Sequence, residues 1–178
     1  MVGSIQQLLD AAAALGGELQ QLRGRFEALG LAHGREWVGR ELAGYPAGSA
    51  APRYREVPCA IRGELAGPAG ATEVAPLPTA HLNGGDRTLI RHGVGQLGAL
   101  SGRDGSRPEA GAFLRDIDPQ RYALYLRGMP AERAGWRVLK AWESIPVTSL
   151  LQMLQDIGEY GRAMHEDAVR RQRAAPGP

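Results

Sequence analysis

Six prolines, Pro46, Pro52, Pro58, Pro68, Pro76 and Pro78, fall within one short stretch of the chain. Each removes a backbone donor and fixes its own φ, so no long helix can pass through 45–84. Extended structure is the alternative. Tyr54, Val57 and residues 61–65 supply short strands, and Gly67-Pro68-Ala69-Gly70 supplies a turn before 73–77, which together predict a hairpin.

Helical patterns flank this stretch. Ser4 caps a first helix carrying Ile5, Leu8, Leu9 and Ala12, expected to end at Gly16-Gly17. Leu19, Leu22, Phe26 and Leu29 form the narrow seam of a second helix that stops at Gly30 and pairs with the first. A third helix over 32–43 turns Trp37, Val38 and Leu42 inward, with Arg35, Glu36, Arg40 and Glu41 at its rim, and ends at Gly44. After the prolines, Asn83-Gly84-Gly85-Asp86 caps a helix with Leu89, Ile90, Val94, Leu97 and Leu100 on one side, weakened by its glycines. Residues 102–108 read as a polar loop. Residues 121–126 and 136–142, separated by the Gly128-Met129-Pro130 break, alternate as strands do, although short helices fit them almost as well. Thr148 or Ser149 caps a final helix with Leu150, Leu151, Leu154, Ile157, Tyr160 and Met164 on one face, a projecting polar end and a frayed 174–178. The expected class is α+β, mainly helical: N-terminal helices, a small central antiparallel sheet or hairpin, and a long C-terminal helix. Residues 1–168 form one domain and 169–178 a frayed basic tail.

At 178 residues and 43 % hydrophobic composition, the chain can bury a core without disulfide staples. Cys59 is its only cysteine, so no internal disulfide can form, which fits a reducing cytoplasm. No apolar run approaches the roughly 18–20 residues that span a bilayer, and the N-terminus lacks a basic region before its apolar stretch, so no membrane role is expected. The pI of about 9.0 accompanies a net charge of only +2. Lys140 is the only lysine, and arginine's high pKa accounts for much of that pI.

The spacing of the candidate catalytic and metal-binding residues fits none of the common motifs. His33, His81, His92, His165 and Cys59 are separated, and His165-Glu166 is followed by Val169 where a zinc-binding helix needs its second histidine. Gly93-Val94-Gly95-Gln96-Leu97-Gly98 matches a dinucleotide-loop pattern by letter but lacks the preceding buried strand and the following βαβ unit. There is no nucleophile elbow and no Walker lysine. Asp116, Asp118 and Glu109 are the tightest acidic group, read as a solvated loop rather than a nuclease centre. No catalytic residue, metal or cofactor is expected.

The most distinctive blocks are Glu36-Trp37-Val38-Gly39-Arg40-Glu41-Leu42-Ala43-Gly44-Tyr45-Pro46, then Pro52-Arg53-Tyr54-Arg55, then Ile61-Arg62-Gly63-Glu64-Leu65-Ala66-Gly67. In this order they resemble the AbiTii domain of bacterial abortive-infection systems, with its W-[IV]-x-x-E-L-x-G-Y helix end, its L-P-x-Y-R element and its strand ending near a G-x-x-x-G turn. The resemblance spans about 4–168. Ala51 replaces the usual leucine, Ala43 the commoner asparagine, and Glu159, Tyr160 and Gly161 stand where the family often has arginine. The resemblance implies an interaction module acting in the cytoplasm through self-association or a partner effector, since the chain ends soon after the matched stretch and carries no catalytic constellation of its own.

The matched residues have two readings. As architecture, Trp37 fills the gap between the second helix and the hairpin, Gly44 takes a left-handed cap, Tyr45 packs back with its hydroxyl seeking a partner, and Glu41 pairs with Arg55 to brace helix to strand. As a site, Glu41, Tyr54 and Arg55 face a nucleotide or peptide. Pro46, Gly63 and Gly67 belong to the same signature. The Leu19-Leu22-Phe26-Leu29 seam and the C-terminal helix are the candidate surfaces for a homo-oligomer. A nucleic-acid component using Arg53, Arg62, Arg170, Arg171 and Arg173 on phosphates is the alternative.

Overall fold

Leu8, Ala12, Leu15, Leu19, Leu22 and Phe26 recur at alternating steps of four and three residues, one unbroken helical phase. The computed structural model, which describes residues 4–79, 86–99, 107–109, 111–122 and 135–174, accordingly shows one helix, α1 (Ile5–Ala28), where two paired helices were expected. Gly16 and Gly17 do not end it. Two helical glycines cost about 1 kcal/mol each, and burying Leu15 and Leu19 beside them contributes roughly 1.5–3 kcal/mol apiece. Ser4 caps α1 as expected: its hydroxyl accepts from the Gln7 amide at 3.1 Å while the Gln7 side chain accepts from the Ser4 amide at 2.8 Å. The supposed association seam lies inside the molecule, because Leu19, Leu22 and Phe26 are buried in the chain's own core.

Helix α2 (Ala32–Ala43) folds back on α1. A Cβ on Gly34 would stand 2.7 Å from the Phe26 ring, so glycine is what permits this approach. After the 3-10 turn Arg53–Arg55 come β1 (Glu56–Pro58), β2 (Ala60–Ala66), β3 (Thr72–Pro76), β4 (Arg87–Leu89), β5 (Arg107–Glu109), β6 (Ala112–Ile117) and β7 (Arg137–Pro146). They form a five-stranded antiparallel sheet in the order β3-β2-β7-β6-β5 and a two-stranded pair, β1-β4. The expected hairpin is β2-β3, turned through Pro68–Gly70, and 137–142 is strand as one of its two readings proposed. Tyr54 sits in the 3-10 turn, not in a strand.

The inward positions of the sheets, among them Val57, Ile61, Leu65, Phe113, Ala141 and Ile145, share one core with the inward faces of α1 and of the last helix, α3 (Val147–Ala174). On the outer edge, the Leu77 amide donates to the Ile61 carbonyl, which sets the ladder so that Thr72, Val74 and Pro76 turn their backbone groups away from β2. Pro76 therefore puts its missing N–H where it weakens no ladder bond and blunts the exposed edge.

Helix α3 begins at Val147, just ahead of the expected caps Thr148 and Ser149, and continues through Ala174, so 169–174 belongs to the helix. It runs parallel to α1, with Leu15 against Gly158, Glu18 on Arg162, Leu22 against Gly161 and Phe26 beside His165. The helix expected from Leu89 onward does not form. Residues 87–89 pair with β1, the Ile90 amide donates to the Arg55 carbonyl, His92 bridges to Gly44, and only a 3-10 turn, Val94–Ala99, remains. Backbone pairing with the α2 end outweighs a helix weakened by three glycines. The expected cap at 83–85, Leu100, the 102–106 loop, the 123–126 segment, the break at 128–130 and the terminal 175–178 lie outside the described residues.

The glycines divide by surroundings. A Cβ on Gly17 would meet nothing within 4 Å, whereas one on Gly93 would collide with the Leu42 carbonyl. Gly17→Ala should raise the unfolding free energy by about 0.5–1 kcal/mol and Gly93→Ala should lower it by about 1–3 kcal/mol in urea unfolding curves.

Candidate functional site

Helix α2 continues one buried stripe, Gly34, Val38, Glu41 and then Tyr45, into the chain that follows it. The stripe carries a carboxylate into the interior. Glu41, expected at the rim, is 0 % exposed, and so is Arg55. The 3-10 turn Arg53–Arg55 places the guanidinium opposite: Arg55 Nε donates to Glu41 Oε2 at 3.0 Å, and its Nη2 donates to the same oxygen. Glu41 Oε1 accepts from the hydroxyls of Tyr45 at 2.6 Å and Tyr54 at 2.7 Å. The expected helix-bracing pair is present, braced against a turn rather than a strand.

Arg55 reaches further than its carboxylate. Its Nη1 donates to the carbonyls of Ile90 at 3.3 Å and His92 at 2.5 Å, its Nη2 approaches the Glu41 carbonyl at 3.4 Å, and its guanidinium lies 5.1 Å from the centre of the Tyr45 ring. Trp37 Nε1 donates to the Tyr54 hydroxyl at 2.8 Å. The Trp37 and Tyr54 rings rest on Tyr160 of α3, with centroids 5.4 and 5.7 Å away, and the Trp37 ring crowds Gly161. Trp37 thus fills the gap toward α3 and not the gap toward the hairpin. Among the described residues no buried side-chain nitrogen or oxygen lacks a hydrogen-bond partner.

Burial, and then the Glu41 carboxylate they bond to, hold the Tyr45 and Tyr54 phenols well above the ordinary tyrosine range. Both hydroxyls are donors committed to Glu41. An open groove of about 550 Å³ borders the network, lined in part by Trp37, Tyr45, His33 and Pro52, but Tyr45 turns its hydroxyl inward, away from it.

The glycines of the signature are explained by close approach. Gly44 has φ of 95° and ψ of 176°, a positive-φ conformation that favours glycine as expected, though with ψ outside the left-handed helical cap, and a Cβ there would come 2.6 Å from the Arg91 carbonyl. Gly63 faces Leu77 and Gly67 faces the Trp136 ring, each 2.6 Å from where a Cβ would sit. The Pro46 carbonyl accepts from Arg91 at 2.7 Å, strapping the loop after α2. The arginines considered for phosphate contact are all exposed. Arg62 has Pro76 and Trp142 as cross-strand neighbours, Arg53 lies in the 3-10 turn, and Arg170 and Arg171 share Asp167.

Sequence reading missed a second polar cluster. Glu143 of β7, 5 % exposed, pairs with Arg115 directly across on β6, and Arg115 also bonds Thr88 of β4, tying the two sheets together. Cys59 lies beside it, and burial, then the Glu143 charge, pushes its thiol up to about 11, so it stays protonated at neutral pH. The acidic trio does not converge. Glu109 pairs in register with Ala112, about 13 Å along β6 from Asp116, and Asp118 accepts from the Gln120 amide. Gly93 to Gly98 packs as a 3-10 turn against the end of α2 and holds no dinucleotide loop. Among the described residues there is no group of three or more metal-ligating side chains, and no helix is long and apolar enough to cross a membrane.

Two measurements check the network. Glu41→Gln strands a buried guanidinium and should lower the unfolding free energy by about 3–5 kcal/mol in urea. The raised phenols stabilise the fold fully below the unfolded tyrosine pKa of 10.0, and that contribution is lost as pH climbs beyond it. Melting temperature should therefore fall above about pH 10, and less so in Tyr54→Phe.

The family model described as AbiTii matches residues 6–159 of the chain. Neither a curated protein nor a solved structure matches it.

Proposed function

The chain belongs to the AbiTii family, an abortive-infection domain, and from that premise we propose that it is a non-enzymatic interaction module of a bacterial antiphage system. It acts in the cytoplasm by associating with itself or by holding a partner effector. One observation supports this reading above others: the polar groups of Trp37, Glu41, Tyr45, Tyr54 and Arg55 are bonded to one another and to backbone, so the signature builds a scaffold and offers no free nucleophile, base or anion clamp. The chemistry left to such a scaffold is docking through its surface.

A second reading rests on the exposure of Arg53, Arg62, Arg170, Arg171 and Arg173. Phosphate contact through them would weaken steeply with salt, so a gel shift that is absent or insensitive to salt removes it.

Tyr45→Phe separates scaffold from site, because it keeps the ring and deletes only the hydroxyl aimed at Glu41. Phage plaque counts on a bacterial host expressing the variant should match those of the wild type wherever the protein reaches the same level. A Tyr45→Phe protein with wild-type level and melting temperature but no protection would make the network a site and overturn the proposal.

A further inference from the structure

Because α1 and α3 run parallel, any asymmetry of charge along them adds instead of cancelling. Over residues 5–22 and 147–161 the charged residues are Asp10, Glu18, Asp156 and Glu159, with no basic residue among them. Past that point the sign changes. Arg23 and Arg25 outnumber Glu27 on α1, and the four arginines from Arg162 to Arg173 outnumber Glu166 and Asp167 on α3. Helix dipoles do not account for the acidic half, since neither helix has an acid in its first turn, where a dipole is felt. Between the two helices lies an open groove of about 270 Å³, floored by Ala11, Ala14, Leu15, Leu151, Leu154 and Gly158 and bounded, where the sign changes, by the Glu18–Arg162 ion pair of this chain. On its outward side α1 is bare at Gly17 and Gly24, where a Cβ would meet nothing within 4 Å of this chain.

We infer that the α1–α3 face docks on the same face of a second copy of this chain, across a twofold axis perpendicular to the helices. This rests on the self-association branch of the proposed function and assigns its surface. A twofold axis reverses the helices of the partner, so the acidic half of each copy meets the basic half of the other, and four helices that are parallel in pairs become antiparallel across the interface. The apolar groove and the bared α1 backbone then form the contact centre, with the charges as its rim. The 24 residues of α1 give a length of about 36 Å, and two helices side by side a width of about 20 Å. That is roughly 700 Å² per copy, or about 1,400 Å² in all, within the size of a stable specific interface.

The test uses charge reversal at exposed residues outside the Glu41–Arg55 network. One variant carries Asp10→Arg and Glu159→Arg, which leaves the acidic half with two acids against two arginines and removes its net charge. The other carries Arg170→Glu and Arg173→Glu, which leaves the basic half with four arginines against five acids and so tips its sign. At tens of micromolar in low salt, light scattering on the eluting peak should show the wild type at twice its 19.0 kDa chain mass and shifted toward monomer by high salt. Each variant alone should be a monomer with unchanged circular dichroism, and an equal mixture of the two should recover the dimer. A wild-type dimer that neither reversal disturbs would overturn this surface and leave self-association standing. Monomeric variants that fail to recombine would overturn the complementarity. A wild type that stays at 19.0 kDa would overturn both the surface and the self-association branch.

Discussion

The fold hangs on one carboxylate. Glu41 is buried at the end of α2 with four donors converging on its two oxygens, two phenols on one and two nitrogens of Arg55 on the other. A buried ion pair of this kind contributes little net stability against an apolar pair of the same volume, yet removing one member is severe because the other is left charged in the interior. What the pair supplies is position. Arg55 Nη1 donates to the carbonyls of Ile90 and His92, and so the return of the chain after the proline-rich stretch is held against the end of α2.

The consequences run outward from there. With His92 held, Gly44 bridges to it, the Tyr45 amide donates to the Arg91 carbonyl, and Gly93 slides under the α2 terminus where no side chain would fit. With Tyr54 held, Trp37 is oriented, and through Tyr160 and Gly161 it sets where α3 crosses. The helical layer and the sheets are thus registered by polar contacts of fixed geometry, on which the apolar core of α1, α3 and the strands then packs. The Glu143–Arg115–Thr88 cluster does the same between the two sheets. This division of labour places Glu41, Tyr45 and Arg55 of the signature in the interior.

Much of this was legible in the sequence. The prolines exclude an α-helix from 45–79 and the turn residues announce the β2-β3 hairpin, because those effects are local. The Glu41–Arg55 pair is legible too, through the family blocks, but the charged neighbours Glu36 and Arg40 point Glu41 to the rim. Its burial follows a signal that was present: Gly34, Val38, Glu41 and Tyr45 fall on one stripe, and a charge on an apolar stripe implies a partner. The continuity of α1 is also there in the unbroken four-three spacing, masked by the helix-breaking tendency of Gly16-Gly17. The region 87–99 was not legible, since its apolar spacing suits a helix and only pairing with residues far away in the chain makes it extended. The contact of Trp37 with α3, more than a hundred residues on, and the Glu143–Arg115 pair were invisible for the same reason.

The central claim is that this network is a keystone of the whole fold and not a locally mobile pocket. Native-state amide hydrogen exchange tests it directly, at the Tyr45 amide bonded to the Arg91 carbonyl and the Ile90 amide bonded to the Arg55 carbonyl. A keystone predicts that both exchange only by global unfolding, with the same opening free energy and denaturant dependence as the β2 and β7 amides. Exchange at those two positions through a low-energy local opening, while β2 and β7 remain protected, would contradict it.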